Sequence, residues 1–320
     1  MKVFWASDYF AVGNQYGFSV HNKKTREALA NYVEFSEDAD IAVTVQCAYT
    51  YNPPPDKLNV LYWAWESTEI PAKDLEGLKK ADVIIVSASY LVDVVKSYLP
   101  DTPVYLCHEG VDVSEYPFRQ RRFPLPPRPF RWLWVGAPNV RKGFDVVLAA
   151  FKPFEGHKRI ELYLKTTLVG DLRHYKNVWI DGRDISREDL LKLYHSAHGF
   201  VFPSLGEGFG LTCAEAMSTG LPVIYTAGTS LTDLLDEESG YPVSWEEVRL
   251  EYGDTPLPFC KPHTQEVHDH MVDIMTHYGS AIARGRVAAK RIRDQFTWDR
   301  TGQRIYEILQ DVTTNAVVAC

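Results

Sequence analysis

Residues 202–222 read FPSLGEGFGLTCAEAMSTGLP and form the most informative run of the chain. They predict a strand that ends at Phe202, a loop rich in glycine, and a helix that carries Glu215. Glycine lets a backbone come close to a ligand, and a helix start offers free N–H groups and a partial positive charge that suit a phosphate. Glu207 and Glu215 bracket this site, so the run predicts two carboxylates that contact different parts of one ligand.

The run resembles the sugar-nucleotide signature of the retaining glycosyltransferases of family four, which have the GT-B architecture. That signature reads E-G-F-G-L-x-x-x-E-A-M-A-x-G-x-P-V-I. The chain has E-G-F-G-L at 207–211, E-A-M at 215–217, a glycine at 220 and P-V-I at 222–224. The resemblance implies a retaining glycosyltransferase that moves a sugar from a nucleotide diphosphate sugar to an acceptor hydroxyl.

The resemblance also implies roles for the residues of the signature. Glu215 would accept hydrogen bonds from the ribose hydroxyls of the donor, and Glu207 would contact the donor sugar or stabilise positive charge that develops on it. The ordinary alternatives are a solvated helix glutamate and a loop charge. The N–H groups of Phe209, Gly210 and Leu211 are expected to meet the distal phosphate, and Gly208 is also expected to bind the donor.

A cationic stretch at residues 134–143, WVGAPNVRKG, resembles the V-G-R…K-G segment in which the family holds the diphosphate with an arginine and a lysine. Lys142 matches the lysine and is expected to stabilise the leaving group. Ala137 stands where the family has its arginine, so Arg141 and Lys165 are the candidates for the second cation. A surface lysine at the end of a strand is the ordinary alternative for Lys165.

The first half of the chain offers weaker signals. Residues 15–18, QYGF, resemble the family's glycine loop between the first strand and the first helix, which implies donor contacts at Tyr16 and Gly17. Glu66 follows a predicted strand where many relatives place a histidine against the reacting sugar, so it is expected to orient the acceptor or a sugar hydroxyl; a loop carboxylate is the alternative. His108 begins a segment, HEGVD, that resembles the family's N-G-V-D corner, and we interpret it as structural.

Composition and pattern predict an α/β fold of two doubly wound units with parallel sheets. The resemblance implies that this fold is of the GT-B type, with two facing Rossmann-like domains and an interdomain cleft. Short apolar runs alternate with helical patterns in both halves of the 320 residues. The predicted domains are an acceptor-side domain at 1–117, a nucleotide-sugar domain at 118–297 that begins with the linker FRQRRFPLPPRP at 118–129, and a helix at 298–320 that crosses back. Single helices are predicted over Thr264–Gln295 and Thr301–Leu309.

Several function classes are disfavoured by the sequence. The apolar runs are too short to span a bilayer and the N-terminus lacks a signal-peptide layout, so a cytoplasmic protein is expected. The net charge of −8 argues mildly against a nucleic-acid partner. Five scattered cysteines without a CxxC pair indicate reduced thiols and no zinc site. Asp38-Ala39-Asp40 spells a D-x-D motif, but it directly precedes a strand and is interpreted as a solvated turn, so no metal and no cofactor beyond the donor co-substrate are expected.

Three alternatives remain open. The first is a DNA-modifying glycosyltransferase of the phage type, because Arg119–Arg131 interleaves arginines with aromatic rings; arginines of a solvated linker are the commoner explanation. The second is an epimerase or phosphorylase on the same fold, and the third a non-catalytic sugar-nucleotide-binding protein. The expected acceptor is a saccharide, a small molecule or a lipid-linked group. The nucleotide base is expected to meet the main chain around Trp179–Arg183.

Overall fold

The computed structural model describes residues 1–7, 17–122, 129–167, 173–253 and 255–318. In the first part of the chain the elements are β1 (Lys2–Trp5), α1 (Gly17–Leu29), β2 (Glu34–Phe35), β3 (Ile41–Val45), β4 (Leu58–Trp63), α2 (Ala72–Leu78), β5 (Val83–Val86), α3 (Ser89–Tyr98) and β6 (Val104–Leu106). The later elements are β7 (Phe130–Gly136), α4 (Phe144–Phe151), β8 (Ile160–Thr166), β9 (Arg173–Tyr175), β10 (Val178–Asp181), α5 (Arg187–Ser196), β11 (Gly199–Phe202), α6 (Leu211–Ser218), β12 (Val223–Thr226), α7 (Leu231–Leu234), β13 (Tyr241–Val243), β14 (Trp245–Tyr252), β15 (Thr255–Pro262), α8 (Thr264–Thr276), α9 (Tyr278–Gln295) and α10 (Trp298–Val318). Single-turn 3₁₀ helices lie at Ala48–Thr50 and Lys152–Phe154.

The chain divides into two compact units. The first unit comprises Met1–Gly110, Glu251–Leu257 and Gln295–Cys320, and the second comprises Val111–Leu250 and Pro258–Asp294. The sequence predicts domain boundaries at residues 117 and 297. These boundaries stay predictions, because a division into compact units does not show which segments fold independently.

The first unit is built on a six-stranded sheet in the order β2-β1-β3-β4-β5-β6, in which every pairing is parallel. Its strands are short apolar runs such as Val83–Val86, which is buried on both faces because helices cover a parallel sheet on each side. The last helix, α10, belongs to this unit and places Ile305, Ile308 and Leu309 in the same core as Val43. The predicted doubly wound α/β pattern is therefore confirmed for this unit.

The second unit repeats the plan with seven strands in the order β13-β12-β11-β7-β8-β10-β9. All pairings are parallel except that of the edge strand β9 with β10. Trp132 and Trp134 of β7 are fully buried in a core that also holds Met271 and Ile274 of α8. Because β7, β8 and β11 are parallel neighbours, their carboxyl ends share one edge of the sheet and their amino ends share the other.

The helix predicted over Thr264–Gln295 is two helices, so that prediction was wrong in one respect. His277 leaves the helical backbone (φ −114°, ψ 42°) and its ring contacts Asp273 Oδ1 at 2.8 Å. The break allows Tyr278 to begin α9 with its ring in the core, 5.4 Å from that of Phe130. The final helix is also longer than expected and reaches Val318.

The hairpin of β14 and β15 is an element that the sequence interpretation missed. β14 alternates charged and apolar residues, and β15 contains Pro256 and Pro258, which argue against a strand unless it lies at an edge. The two strands form their own two-stranded sheet, where proline costs few ladder hydrogen bonds.

Two further findings concern cysteines and membranes. Cys47, Cys107, Cys213 and Cys260 are free thiols. Within the described ranges, none of the helices is both long and apolar enough to cross a bilayer.

Candidate functional site

The loops that follow β7 and β11 meet at the carboxyl edge of the second sheet. Gly143, the N-cap of α4, has a φ of 67°, a conformation that favours glycine. A Cβ at this position would lie 2.1 Å from the carbonyl oxygen of Pro203. Only glycine therefore allows the two loops to approach so closely, and this approach brings residues 141–142 beside residues 204–207.

Lys142 and Glu207 form the centre of this site. The ammonium Nζ of Lys142 lies 2.6 Å from Glu207 Oε1 and 2.8 Å from Oε2. Ser204 Oγ donates to Oε1 at 2.6 Å, and a guanidinium nitrogen of Arg141 lies 3.9 Å from the same oxygen. The structure thus brings together three residues predicted from sequence and adds Ser204, which the sequence interpretation missed although it lies three residues before Glu207.

The charge of Glu207 is held inside the protein. Glu207 is only 4% exposed. Burial by itself would raise the pKa of Glu207, but the positive charges of Lys142 and Arg141 and the hydrogen bonds of Lys142 and Ser204 outweigh it, so the pKa is lowered. The carboxylate is therefore ionised at neutral pH and is balanced by cations that could also face a phosphate.

Helix α6 begins at the same loop. Gly210, its N-cap, has a φ of 96° that favours glycine, and the N–H of Ala214 donates to the Gly210 carbonyl at 3.0 Å. The N–H groups of the first turn have no partner within the helix, so the helix start offers donors and a partial positive charge to an anion. This is the local geometry that the glycine loop predicted.

Glu215 lies within α6 and is held by two tyrosines. Tyr194 Oη donates to Glu215 Oε2 at 2.9 Å, and Tyr116 also donates to the carboxylate. Burial raises the pKa of Glu215 to about 7, against the lowering effect of both tyrosine hydrogen bonds and of the Arg187 charge. Neither tyrosine was singled out in the sequence, because both come from segments far from the glycine loop.

Replacing Glu215 with Gln is expected to stabilise the ligand-free protein above neutral pH. Since the folded-state pKa of Glu215 is raised from 4.5 to about 7, the folded protein keeps a proton that the unfolded chain releases, and the wild type loses stability as the pH rises through that range. Gln imitates the protonated acid, so the free energy of unfolding should rise on the order of 2 kcal/mol at about pH 8 and hardly change at about pH 4. Urea unfolding at both pH values measures this.

The same substitution should weaken binding of a nucleoside diphosphate by about tenfold, the worth of one charge-assisted hydrogen bond. Glu188→Gln, which neutralises an exposed carboxylate of α5, is the matched control. Unchanged affinity in titration calorimetry would remove Glu215 from the ribose site.

The ammonium group of Lys165 donates hydrogen bonds to backbone carbonyl groups rather than to a carboxylate side chain. It is 9% exposed, and its Nζ donates to the carbonyls of Thr166, Asp181 and Arg183 at 2.8, 3.2 and 2.7 Å. Burial lowers the pKa of Lys165 despite the nearby Asp181 charge. Lys165 therefore fixes the turn after β10, the segment where contacts to the nucleotide base are expected.

Asp181 also holds the turn after β10 in place. Its carboxylate accepts from two guanidinium nitrogens of Arg183 at 2.9 and 2.8 Å and from Tyr163 Oη at 2.6 Å. Hydrogen bonds from Arg183, followed by that of Tyr163, hold the pKa of Asp181 well below its usual range although burial opposes them.

Of the site residues predicted from the first part of the chain, Glu66 and Gly17 lie in the first unit. Glu66 follows the carboxyl end of β4 and is half-buried, and Gly17 is the first residue of α1. Among the described residues, no atom lies within 4 Å of the place where a Cβ of Gly17 would stand. Tyr16 lies outside the described residues. Asp38 and Asp40 are exposed and precede β3, as expected of a solvated turn.

A family described as glycosyl transferases group 1 matches residues 129–249. Among curated proteins, the O-antigen chain mannosyltransferase B of Escherichia coli is 34% identical over 99 residues, which is 31% of this chain and 24% of that protein. The curated relatives are matched over 14% to 47% of their own length.

Two solved structures show the same fold over nearly the whole chain. Anabaena HepE, determined in complex with UDP-glucose, superposes with a TM-score of 0.68 at 12% identity, over 97% of this chain and 100% of that one. Sucrose-phosphate synthase from Thermosynechococcus elongatus gives a TM-score of 0.65 at 18% identity, over 93% of this chain and 79% of that one. The predicted GT-B fold class is confirmed.

Proposed function

We propose that the chain, whose residues 129–249 match the family described as glycosyl transferases group 1, is a retaining, metal-independent glycosyltransferase. It moves a sugar from a nucleotide diphosphate sugar to an acceptor hydroxyl. The observation that carries the proposal is the contact of Lys142 with Glu207 beside the start of α6. This places a cation, a set of N–H donors and a carboxylate at one edge of one sheet.

The proposed chemistry uses these groups in the following way. Lys142, Arg141 and the N–H groups of the α6 start stabilise the negative charge that appears on the diphosphate as its bond to the anomeric carbon breaks. Glu207 stabilises the positive charge of the sugar. The acceptor oxygen bonds to the anomeric carbon on the face that the diphosphate leaves, and its proton passes to the departing phosphate oxygen. Retention of configuration follows from this single-face route.

Residues outside this centre bind the donor and orient the acceptor. Glu215, held by Tyr116 and Tyr194, receives the ribose hydroxyls. Lys165 keeps the turn after β10 in place for the base. Glu66 in the first unit is proposed to orient the acceptor or a sugar hydroxyl, and Tyr16 and Gly17 to contact the donor.

The test is a thermal-shift screen across nucleotide diphosphate sugars, because a ligand that binds only the folded state raises its apparent stability. The donor that stabilises the protein is then incubated with saccharide, small-molecule and lipid-linked acceptors, and proton NMR of the product gives the anomeric configuration. Stabilisation without turnover on any acceptor would support a binding protein. Conversion of the donor sugar itself would support an epimerase.

Sugar transfer is expected to survive EDTA. Positive charge for the diphosphate comes from Lys142, Arg141 and the α6 start, so transfer should not need a divalent cation. Initial rates with and without EDTA measure this. Full loss that manganese restores would overturn the metal-independent mechanism.

We further propose that the protein works in the cytoplasm, where thiols such as those of Cys107 and Cys213 stay reduced.

The DNA-modifying alternative loses part of its basis, because Arg121 is buried and Arg131 contacts Glu161 at 2.7 Å. Neither arginine is arranged to follow a nucleic-acid backbone.

A further inference from the structure

A basic pocket lies at the amino edge of the second sheet, opposite the edge that carries Lys142 and Glu207. It is a cavity of about 630 Å³, within the range of small-ligand sites. Its walls come from the segment 119–122, the start of β7, the start of β8 and the end of α5 with the residues after it. β7 has seven residues, so the two edges are roughly 20 Å apart at about 3.3 Å per residue.

The lining of the pocket is strongly cationic. Among the described residues that line it, the arginines are Arg119, Arg121, Arg122 and Arg131, and the one carboxylate is that of Glu161. His195 and His198 complete the polar lining. Burial lowers the pKa of His195 although its hydrogen bond with the Pro117 carbonyl opposes this, and burial with the charges of Arg121 and Arg131 lowers that of His198 to about 4. The histidines are therefore neutral at pH 7 and the guanidinium groups set the charge of the pocket.

Arg121 contributes a buried and positively charged guanidinium group to the pocket. It is 9% exposed, and its guanidinium donates to the carbonyls of Gly220, Tyr194 and Ala197. Burial lowers the pKa of Arg121 to about 10, which leaves it charged at neutral pH. Its hydrogen-bond partners among the described residues are backbone carbonyls and the Tyr278 side chain, so none of them supplies a full negative charge that cancels it.

Arg119 and Arg122 form the exposed rim. Both side chains are solvent-accessible, and Arg119 donates to the carbonyl of His195 at 3.1 Å. Arg131 is fixed at the opposite side by Glu161 and by Ser196 Oγ at 2.9 Å. Several forked guanidinium groups around one cavity suit a planar or tetrahedral oxyanion that can accept from more than one of them.

We propose that this pocket binds a phosphorylated group, at a second site separate from the donor site. A phosphate carries more than one negative charge and three acceptor oxygens, so it matches several arginines better than a lone carboxylate does. The chemistry is shared by a free oligophosphate and by a phospholipid headgroup. Unlike a nucleic-acid track, the site is a concave pocket with two of its arginines, Arg121 and Arg131, already fixed by protein groups.

The test uses tripolyphosphate and the variant Arg119→Gln/Arg122→Gln, whose two substitutions lie on the exposed rim. Lys158→Gln/Arg286→Gln removes two exposed cations elsewhere in the same unit and is the matched control. In titration calorimetry the rim variant should bind at least about tenfold more weakly than the wild type, and the control should bind as the wild type does. Raising the salt from about 0.05 to about 0.2 M should weaken the binding to wild type.

Lys142→Ala separates this pocket from the donor site. If the proposal holds, Lys142→Ala still binds tripolyphosphate, and adding the two rim substitutions to Lys142→Ala removes that remaining binding. Loss in Lys142→Ala with none in the rim variant would place the anion at the donor site and overturn the proposal, as would equal binding by the rim and control variants. Failure of the proposed sugar transfer would leave this result unchanged.

Two further binding experiments identify the kind of molecule that carries the phosphate. Vesicles of phosphatidylcholine with phosphatidylglycerol, but not of phosphatidylcholine alone, should capture the wild type if a headgroup is the ligand, and the rim variant should stay in solution. Binding of tripolyphosphate without capture by vesicles identifies a free phosphorylated ligand. Binding of duplex DNA that the rim variant loses, without any response to tripolyphosphate, would overturn the proposal in favour of a nucleic-acid surface.

Discussion

Lys142→Ala should lower the turnover number for sugar transfer by about 100- to 1000-fold, the usual cost of removing a group that stabilises developing negative charge. Lys142 Nζ contacts both oxygens of Glu207 and stands beside the start of α6. It is the predicted partner of the diphosphate, and its loss removes a full charge where the leaving group forms. Initial-rate kinetics with the cognate donor measure the effect.

The same substitution should also destabilise the protein. Without Lys142, the buried Glu207 keeps Ser204 and the more distant Arg141, so the loss should be up to about 3 kcal/mol, the lower end for a broken buried ion pair. Because the pKa of Glu207 is lowered in the wild type, this stability is present above its ordinary 4.5 and is lost as the pH falls through the folded-state value. The wild type and the variant should therefore converge in acid.

The control for Lys142→Ala is Lys192→Ala, which breaks an exposed ion pair in the same unit and should leave the free energy of unfolding almost unchanged. It should also leave turnover unchanged. Near-normal turnover in folded Lys142→Ala would mean that Arg141 or Lys165 is the cation that serves the diphosphate.

Glu207→Gln should lower turnover by about 100- to 1000-fold while nucleoside diphosphate still binds. Gln has the size of Glu and can still accept from Ser204, so the loop should keep its shape, but the charge that faces the sugar is gone. Lys142 remains in place to contact the diphosphate. Turnover and calorimetric affinity, measured on the same preparation, separate the two effects.

Glu155→Gln, at an exposed ion pair with Lys176, is the control for the loss of one negative charge. The double variant Lys142→Ala/Glu207→Gln extends the test. Residues that act as a pair are not additive, so the double variant should be scarcely slower than the slower single variant. Fully multiplicative losses, or turnover of Glu207→Gln within about threefold of wild type, would contradict the assigned role.

The sequence predicted the centre of the site because its contacts are local or follow a repeated plan. Gly210 and Glu215 sit on the loop and helix that their spacing indicated, and Lys142 follows a strand that neighbours β11. The approach of Gly143 to Pro203 could not be read, because it depends on two loops separated by 60 positions in the chain. Tyr116 and Tyr194 were missed for the same reason, since their hydroxyl groups meet Glu215 only after folding.

Fold class was easier to predict than element ends. Fully apolar runs such as Val83–Val86 identify buried parallel strands without any tertiary information. The break at His277 was hidden, because helical periodicity continues through it and only the burial of Tyr278 requires the bend. The hairpin was hidden by Pro256 and Pro258, which an isolated pair of strands tolerates.

The place of α10 in the first core has a consequence for how the protein is made. Ile305, Ile308, Leu309 and Val312 complete a hydrophobic core whose other buried members come from the first 110 residues. A ribosome adds roughly 5–20 residues per second, so about 200 residues and some 10–40 s separate the first unit's strands from the helix that covers them. The second unit, nearly contiguous in the chain, can close first. The nascent first unit would meanwhile expose apolar surface and is the natural client of a chaperone during synthesis.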